Sequence, residues 1–417
     1  MTRYRWLFLA LIFFATTLNY FDRVIISVLM PVIREDIAIT DQEYGYVTGA
    51  FQVAYGLGNL LFGKFIDIAG SRIGYVMALA GWSLATAGHA LSRTAFGLGL
   101  WRGLLGLGEG GNFPAAAKVI AEWFPRKDRA FAMGVCVAAT NVAAMAGPPL
   151  LVYMSIAFGW RQTFVISGAA GFVLVLLWGA LYRSPRQHKG VSETELAYVE
   201  SDAETPADAP PIGWKAAIRR RETWGFSIAK FFTDPVWWFY IFWLPLYLHD
   251  VRDLELVEIG WALPVIYLMA DFGSVAGGWL PGQLMRRGWD PGKARKTAMA
   301  LCVCWMPLAA LAPFAPNVPL TVLLISLGTA GHQGWSANLL TSVSDVYPTR
   351  AVATVTGIGQ WVASLGGLLF SSVLAGYIIT HYGYVPVFLM LGTFHLIGFA
   401  SIHFLMRDLR PIEQRET

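Results

Sequence analysis

Long apolar stretches, each about twenty residues and separated by short polar segments, limit the possible folds of this sequence more than any other feature. The hydrocarbon core of a bilayer, about 30 Å thick, requires about 20 mostly apolar residues per helical span. Such stretches fill nearly all of the 417 residues, and only 14% of the residues are charged. Soluble domains carry about a quarter charged residues. The pattern therefore predicts an all-α membrane protein.

Twelve membrane helices are predicted from hydropathy and periodicity. They are expected over residues 5–31, 43–66, 73–92, 95–122, 129–155, 162–182, 223–248, 256–285, 295–314, 318–343, 351–379 and 384–406. Residues 186–221 are polar and contain acids, prolines and an arginine cluster, which indicates a cytoplasmic linker. We expect one six-helix bundle over residues 1–185 and a second over residues 222–417.

The loop charges predict the orientation of these spans. If both termini are cytoplasmic, the outer loops carry only Arg34, Arg93, Arg161 and Arg252. The other basic loop residues then lie inside, as the positive-inside rule requires. The first span follows Met1–Arg5 without a small-residue cleavage site, so we expect it to be retained and to act as the insertion signal.

An internal repeat supports two related halves. The segment that starts at Phe124-Pro125-Arg126 resembles the one that starts at Tyr347-Pro348-Thr349-Arg350, with Gly134 and Gly357 at the same offset. Transporters made of two such repeats bind their solute near mid-membrane, where the repeats meet. The repeat favours a transporter.

Several other classes of protein are disfavoured. The net charge of +4 is spread along the chain, so no nucleic-acid surface is expected. The three cysteines lie in apolar stretches without zinc-ligand spacing, and we expect neither a disulfide nor a metal. The glycines near residues 108–111 and 357–367 lack the context of a nucleotide loop. No cofactor and no enzymatic activity are expected.

Charged residues within the predicted spans are the first candidates for function. Asp22, Arg23, Arg102, Glu109 and Asp271 lie deep in spans, where a charge costs at least a few kcal/mol. One interpretation is that Asp22 and Arg102 pair only to hold two helices together. The other, which we favour, is that these groups line a hydrated cavity. Asp271 is either a further titrating group or part of an ion pair.

The spacing of these charged residues and their chemistry suggest a separate role for each of them. Arg102 and Glu109 are two helical turns apart and share a face, whereas Asp22 and Arg23 point about 100° apart. The guanidinium of Arg23 suits bidentate capture of a carboxylate. Arg102 is the predicted counter-ion of Asp22. Glu109 has glycines on both sides, so its neighbours shield it little, and it is the candidate proton carrier.

The loop after the second predicted span resembles the gating motif of the major facilitator superfamily, G-x-x-x-D-x-x-G-x-R. Its positions are Gly63, Asp67, Gly70 and Arg72, and Ser71 stands where that family often has a basic residue. The resemblance implies that these residues control conformational change and do not touch the solute.

Further segments resemble the anion:cation symporter branch of that family, and within it the hexuronate and aldonate importers. These segments are Asn19–Arg23, Arg102–Pro114, Ala121–Pro125, Phe232–Tyr240 and Gly331–Asn338. The resemblance implies that Asp22 and Glu109 form the proton-coupling pair, and that Arg23 meets the solute carboxylate.

Neutral polar residues in the spans are candidates for binding the solute hydroxyls. They are Tyr20, Tyr55, Asn112, Asn141, His332, Gln333, Trp335, Asn338 and Gln360. For each of them a hydrogen bond between helices is an equally valid interpretation. We expect His332 to be a neutral donor, although it could also titrate, and we interpret His89, His395 and His403 as packing residues. The aromatic cluster at residues 237–243 predicts either an interfacial belt or a cavity lining.

The sequence as a whole predicts a proton-coupled symporter that imports a sugar acid, a small organic anion, by alternating access. We expect a monomer in the bacterial inner membrane, with protons and the lipid bilayer as its other partners. Two alternatives stay open. One is an importer of another carboxylate, aromatic or dicarboxylic. The other is a membrane sensor with a transporter fold, which a long soluble extension would favour.

Overall fold

The computed structural model describes residues 4–201, 214–347, 349–407 and 409. The side chains of seven further residues lie outside this description: Asp67, Arg126, Lys127, Ala130, Thr349, Arg350 and Ala353. Within the described ranges all regular structure is helical. The prediction of an all-α protein is confirmed for these residues.

The described residues of the first half form six longer helices and one short one. They are α1 Tyr4–Asp36, α2 Asp41–Gly88, α3 Ala95–Glu109, α4 Asn112–Trp123, α5 Arg126–Phe158, α6 Trp160–Leu181 and, in the predicted linker, α7 Glu193–Val199. Ser192 caps α7, because its hydroxyl accepts a hydrogen bond from the backbone N–H of Glu195 at 3.2 Å. The linker is therefore partly helical.

In the part of the second half that the structure describes, a short helix comes first and seven others follow. They are α8 Trp214–Ile218, α9 Arg221–Asp250, α10 Leu256–Arg286, α11 Pro291–Ala310, α12 Val318–Val346, α13 Thr349–Gly366, α14 Ala375–Tyr382 and α15 Val385–Ser401. A π-helical segment, Gly367–Leu374, joins α13 to α14. Segments of this kind occur often at functional sites.

Seven of the described helical segments are long and apolar enough to cross a membrane. They include Tyr4–Asp36, Trp160–Leu181 and Leu256–Arg286. Several large apolar side chains on these helices are exposed, such as Leu176 at 72% and Phe272 at 68%, and they suit contact with lipid. The count of twelve spans and the orientation of the termini stay predictions.

The chain divides into two compact units. The first comprises Met1–Ile39 and Ala50–Ala207, and the second comprises Thr40–Gly49 and Asp208–Thr417. The start of α2 therefore packs with the second unit. There, the Tyr44 hydroxyl donates a hydrogen bond to the carbonyl of Phe242 at 2.8 Å, and the Tyr44 ring meets Trp243 edge-on.

Glycines break the helical conformation at two places in the first half of the chain. Residues 43–66 and 73–92 were predicted as separate helices, and the backbone of α2 leaves the helical conformation between them, at Gly70, where φ is +81°. Only glycine adopts that conformation without strain. In contrast to the prediction of one span over residues 95–122, the chain is divided there into α3 and α4 at Gly110 and Gly111. The break places Glu109 at the last position of α3.

Aromatic side chains fill the core at one end of the first unit. The ring centroid of Phe8 lies 4.6 Å from that of Trp123 and 5.0 Å from that of Tyr182. Tyr182 stacks on Trp178 at 4.4 Å. Rings at these separations contribute about 0.5–1.5 kcal/mol per pair beyond the burial of their area. This cluster joins α1, α4 and α6.

Close helix packing in the second unit depends on small residues. A Cβ added at Gly277 on α10 would lie 2.5 Å from the Cα of Gly334 on α12, whereas one added at Gly278 meets no described atom within 4 Å. The amide of Asn338 also donates to the carbonyl of Gly277 at 2.8 Å. Small residues of this kind let membrane helices approach closely.

We expect Gly277→Ala to destabilise the protein by about 1–3 kcal/mol, because two backbones must separate to admit the methyl group. Gly278→Ala is the matched control on the same turn, and it should be neutral or slightly stabilising, since alanine favours the helix. Thermal unfolding of the purified variants in detergent measures both. Equal unfolding temperatures for the two variants would contradict the close approach of α10 and α12.

Candidate functional site

The deep charged residues of the first unit lie on α1 and α3. Asp22 and Arg102 are fully buried, and Arg23 and Glu109 are 2% and 1% exposed. That Arg102 and Glu109 share one face of a helix stays a prediction. Four ionisable groups are thus withdrawn from solvent within one unit. Burial of charge on this scale requires specific partners.

The ion pair that organises the site joins Arg23 to Glu109. The Nε and one terminal nitrogen of Arg23 both lie 2.9 Å from Oε2 of Glu109. Oε1 of Glu109 is buried and accepts no hydrogen bond from the described residues. One carboxylate oxygen therefore holds the guanidinium, and the other is available to a proton or a donor.

Aromatic rings surround the guanidinium of Arg23. Its central carbon lies 4.4 Å from the ring centroid of Tyr20, 4.7 Å from that of Tyr55 and 5.4 Å from that of Phe51. Phe51 and Tyr55 are stacked, with an interplanar angle of 13°. Each cation–π contact contributes about 0.5–2 kcal/mol, more where water is excluded. The rings orient the cation and leave it charged.

Arg102 fixes the backbone of α1 at this point. A terminal nitrogen of its guanidinium donates to the carbonyl oxygen of Arg23 at 2.6 Å. Its central carbon lies 4.6 Å from the ring centroid of Phe51. Arg102 thus acts on the position of Arg23 through the main chain, a role that its spacing in the sequence did not indicate.

Asp22 lies among hydroxyl groups. Thr86 on α2 donates to its Oδ2 at 3.1 Å, and Ser167 on α6 donates to its Oδ1. A hydroxyl can donate to a carboxylate or accept from a protonated carboxyl group, so this surrounding serves both protonation states. The predicted ion pair between Asp22 and Arg102 stays a prediction.

The two asparagines that were predicted in the first unit differ in their contacts. Asn112 is fully buried and makes two hydrogen bonds: it accepts from the Tyr75 hydroxyl at 2.6 Å and donates to the Thr16 hydroxyl at 3.1 Å. These bonds join α4 to α2 and α1. Asn141 on α5 is half-buried and accepts from Thr140 at 3.2 Å. Asn112 therefore links α4 to two other helices through hydrogen bonds. Asn141 is the more exposed of the two residues.

Polar residues of the second unit gather on α12. His332 bonds to His395 on α15 at 3.1 Å and lies 3.3 Å from Ser336. The indole of Trp335 donates to the Thr233 hydroxyl at 3.2 Å. Asn338 is fully buried and bonds to backbone carbonyls. Two other predicted ligands are half-buried: Gln333 and Gln360.

The aromatic cluster of α9 is largely internal. Trp238, Phe239, Tyr240 and Trp243 are at most 8% exposed. The indole of Trp243 donates to the carbonyl of Ser371 at 2.7 Å. The interpretation of this cluster as a lipid-facing belt is therefore wrong. Trp237 is half-buried and stacks on His332. For this residue the interpretation as part of a cavity lining stays a prediction.

The residues of the loop motif lie near the kink of α2. Arg72 donates from Nε to the carbonyl of Gly179 on α6 at 3.0 Å, and Ser71 donates to Glu122 on α4 at 2.7 Å. Gly63 meets no described atom that would obstruct a side chain. The side chain of Asp67 lies outside the described residues. A role of this motif in gating stays a prediction.

Sequence reasoning missed several partners. Asn19, four residues before Arg23, accepts from its guanidinium at 3.3 Å, and Phe51, four residues before Tyr55, completes the aromatic surround. The spacing of one helical turn could have revealed both. Thr86, Ser167 and His395 left no such signal, because they lie on other helices. Only the packing of the helices brings them to the site.

Comparison with known proteins identifies relatives along nearly the whole chain. The model of the Major Facilitator Superfamily matches residues 12–371. A hexuronate transporter of Escherichia coli (strain K12) is 30% identical over 413 residues, which cover 98% of this chain and 95% of that protein. A D-galactonate transporter of E. coli O6:H1 is also 30% identical, with coverage of 98% and 97%.

A solved structure has the same fold. The bacterial homologue of the human lysosomal transporter Spinster, in an inward-facing and occupied conformation, superimposes with a TM-score of 0.80. The two chains are 18% identical, and the match covers 98% of each. At this identity the likeness shows the fold alone. It agrees with the predicted all-α architecture.

Proposed function

Because the chain belongs to the Major Facilitator Superfamily, we propose that it is a proton-coupled secondary transporter that imports a sugar acid. The relatives named as hexuronate and D-galactonate transporters support a hexuronate or an aldonate as the solute. The proposal includes twelve spans, cytoplasmic termini, alternating access and a monomer in the bacterial inner membrane.

The observation that carries the proposal is the buried pair of Arg23 and Glu109. A guanidinium at this depth stays charged and needs one negative partner. Glu109 supplies that charge while it is ionised. When Glu109 takes a proton, Arg23 loses its counter-ion, and the carboxylate of a solute is the natural replacement. Proton and anion are then bound together for reasons of charge balance.

The second carboxylate oxygen of Glu109, Oε1, is the atom that can take up the proton in this exchange. A proton can be added at Oε1 while Oε2 still holds Arg23, because Oε1 accepts no hydrogen bond from the described residues. We place a second proton at Asp22, whose hydroxyl partners accommodate both of its protonation states. Arg102 keeps Arg23 in position. Asp22, Glu109 and Arg102 form the proposed coupling group.

The remaining candidate ligands are proposed to bind the hydroxylated part of the solute. Tyr20, Tyr55 and Asn141 are the candidates in the first unit, and Asn112 takes part only if it exchanges its bonds to Tyr75 and Thr16. The second unit offers several more: His332, Gln333, Trp335, Asn338 and Gln360. The loop motif of Gly63, Asp67, Gly70 and Arg72 is proposed to control the conformational change.

A solute screen tests the function. We expect D-glucuronate, D-galacturonate or D-galactonate to raise the unfolding temperature of the detergent-purified protein, and neutral hexoses to leave it unchanged, because a neutral sugar offers no charge to Arg23. Proteoliposomes with an alkaline interior should then accumulate the stabilising acid. Stronger stabilisation by a neutral hexose than by every acid would overturn the proposal.

A dicarboxylate is the second candidate class, because α9 carries a buried lysine. Lys230 is 6% exposed. Its Nζ lies 2.7 Å from Oδ2 of Asp234, one turn further along the same helix. The 30% identical relatives named as hexuronate and D-galactonate transporters are named for solutes with one carboxylate. We therefore favour a single carboxylate, and galactarate belongs in the same screen as the dicarboxylate probe.

A further inference from the structure

Two buried histidines meet in the second unit. His332 on α12 is 3% exposed and His395 on α15 is fully buried. Nδ1 of His332 lies 3.1 Å from Nε2 of His395, and the two ring planes are 82° apart. An imidazole in a membrane helix is costly unless it is hydrogen-bonded. His395 therefore has a specific partner, and the sequence-based interpretation of His395 as a packing residue is incomplete.

The number of N–H donors and acceptors on the two imidazoles indicates which tautomer each histidine adopts. A neutral imidazole has one N–H donor and one acceptor. If Nδ1 of His332 carried the hydrogen, the hydrogen of His395 would be at its Nδ1, which is buried and has no partner among the described residues. Unpaired buried N–H groups are rarer than unpaired acceptors. The favoured arrangement is that His395 donates from Nε2 to Nδ1 of His332.

This arrangement leaves the hydrogen of His332 on Nε2. The described partner of that atom is Ser336, one turn further along α12, at 3.3 Å. The distance is at the long end for a hydrogen bond, and Ser336 is only half-buried. A hydroxyl of a bound solute can replace the serine as acceptor with little loss.

The face of the His332 ring packs against an aromatic side chain, which in turn contacts a second one. Trp237 on α9 stacks on it at 5.6 Å, with an interplanar angle of 4°. Tyr267 on α10 meets Trp237 edge-on at 5.9 Å. Tyr267 is 4% exposed, whereas Trp237 is only half-buried. A rotation of the His332 ring would therefore disturb both a donor and an indole.

We propose that His395 is a positioning residue, which holds His332 in one tautomer and one orientation so that its Nε2–H donates to a hydroxyl of the bound sugar acid. This inference rests on the proposed function. His395 itself touches no solute. The chemical class that it selects is a hydroxylated acid over a carboxylate of similar size without hydroxyl groups.

A double-mutant cycle tests the proposal. Binding of D-galacturonate, or of whichever acid the screen identifies, is measured for His332→Leu, His395→Leu and the double variant. One neutral hydrogen bond accounts for about a tenfold change in Kd, so each single variant should weaken binding about tenfold. The double variant should also weaken binding about tenfold, because both changes remove the same donor. A loss of about a hundredfold in the double variant would show independent effects and would overturn the inference.

A conservative variant separates positioning from packing. His395→Gln keeps an N–H near the position of Nε2, and we expect it to restore binding to within about threefold of the wild type. Loss of binding in His395→Gln equal to that in His395→Leu would contradict the assigned hydrogen bond. Unfolding temperatures without solute show whether each variant is folded.

Nitrogen-15 NMR of the imidazoles reads the tautomer directly. The signal of His332, identified by its absence in His332→Leu, should report Nε2–H in the wild type and change in His395→Leu. His89 is the matched control, since it is fully buried in the first unit and its ring bonds to the backbone carbonyl of Ala85, away from His332 and His395 in the chain. An unchanged His332 signal would refute the inference. Absence of binding of every sugar acid to the wild type would instead refute the proposed function.

Discussion

Arg23→Gln is expected to raise the Kd for the sugar acid by about 100-fold or more. The substitution removes the charged fork that holds the carboxylate, and truncation of a buried charged partner typically costs about 2–5 kcal/mol. Each 1.4 kcal/mol corresponds to a factor of ten in affinity. Isothermal titration with the purified protein measures the change.

Two further variants control this experiment. Arg23→Lys keeps the charge but loses the planar fork, so we expect an intermediate loss, about tenfold. Arg161→Gln removes an arginine of the first unit whose side chain is 37% exposed and paired with Asp36, and it should leave binding unchanged. Because Arg23→Gln leaves Glu109 without its cation, the double variant Arg23→Gln/Glu109→Gln tests whether folding is affected separately. Wild-type affinity in a folded Arg23→Gln protein would refute the anion site.

Glu109→Gln is expected to abolish proton-driven accumulation while exchange of solute across the membrane continues. Glutamine has the shape of a protonated glutamate, so the variant is held in the state that binds the anion. A gradient of one pH unit supplies about 1.4 kcal/mol per proton, or about tenfold accumulation. The accumulation ratio should fall to about 1 in the variant, because Arg23 then lacks its counter-ion whether or not a proton is bound at Asp22, and anion binding is no longer linked to a proton. Counterflow should stay within about threefold of the wild type.

Glu122→Gln is the matched control for this prediction. Glu122 lies on α4, the helix that follows Glu109, and accepts hydrogen bonds from Ser71 and Tyr182. Its replacement removes a carboxyl group without touching Arg23, so uphill accumulation should persist. Accumulation by Glu109→Gln against an imposed pH gradient, measured in the same vesicles, would exclude Glu109 as a coupling residue.

The candidate charges could be identified from the sequence because the cost of burying charge is local. An ionisable residue within an apolar stretch is unusual wherever its neighbours come from, so Asp22, Arg23, Arg102 and Glu109 were evident without a structure. The helical class followed for the same reason, since backbone groups in hydrocarbon must be satisfied within each segment. Periodicity also predicts that Arg102 and Glu109 lie on one face.

The partners of these charges could not be identified in the same way. Sequence reasoning did not predict the ion pair of Arg23 with Glu109 or the hydrogen bond from Arg102 to the backbone carbonyl of Arg23, and the predicted pair of Asp22 and Arg102 stays a prediction. Two adjacent residues on α1 point in different directions. Which of them meets α3 depends on the rotation and axial position of one helix against the other, and neither is encoded within a single segment.

The amino-acid sequence by itself determined that this protein is a helical membrane transporter with charged groups inside its predicted spans, because burial in lipid restricts backbone and charge residue by residue. The tertiary structure alone decided that Arg23 pairs with Glu109, where α3 ends and that His395 bonds to His332. Helix contacts at glycines set these outcomes: a Cβ at Gly108 would lie 2.6 Å from the backbone nitrogen of Trp82, and one at Gly110 would lie 2.5 Å from that of Asn59. Distances of this size depend on several helices at once, so no single stretch of sequence specifies them.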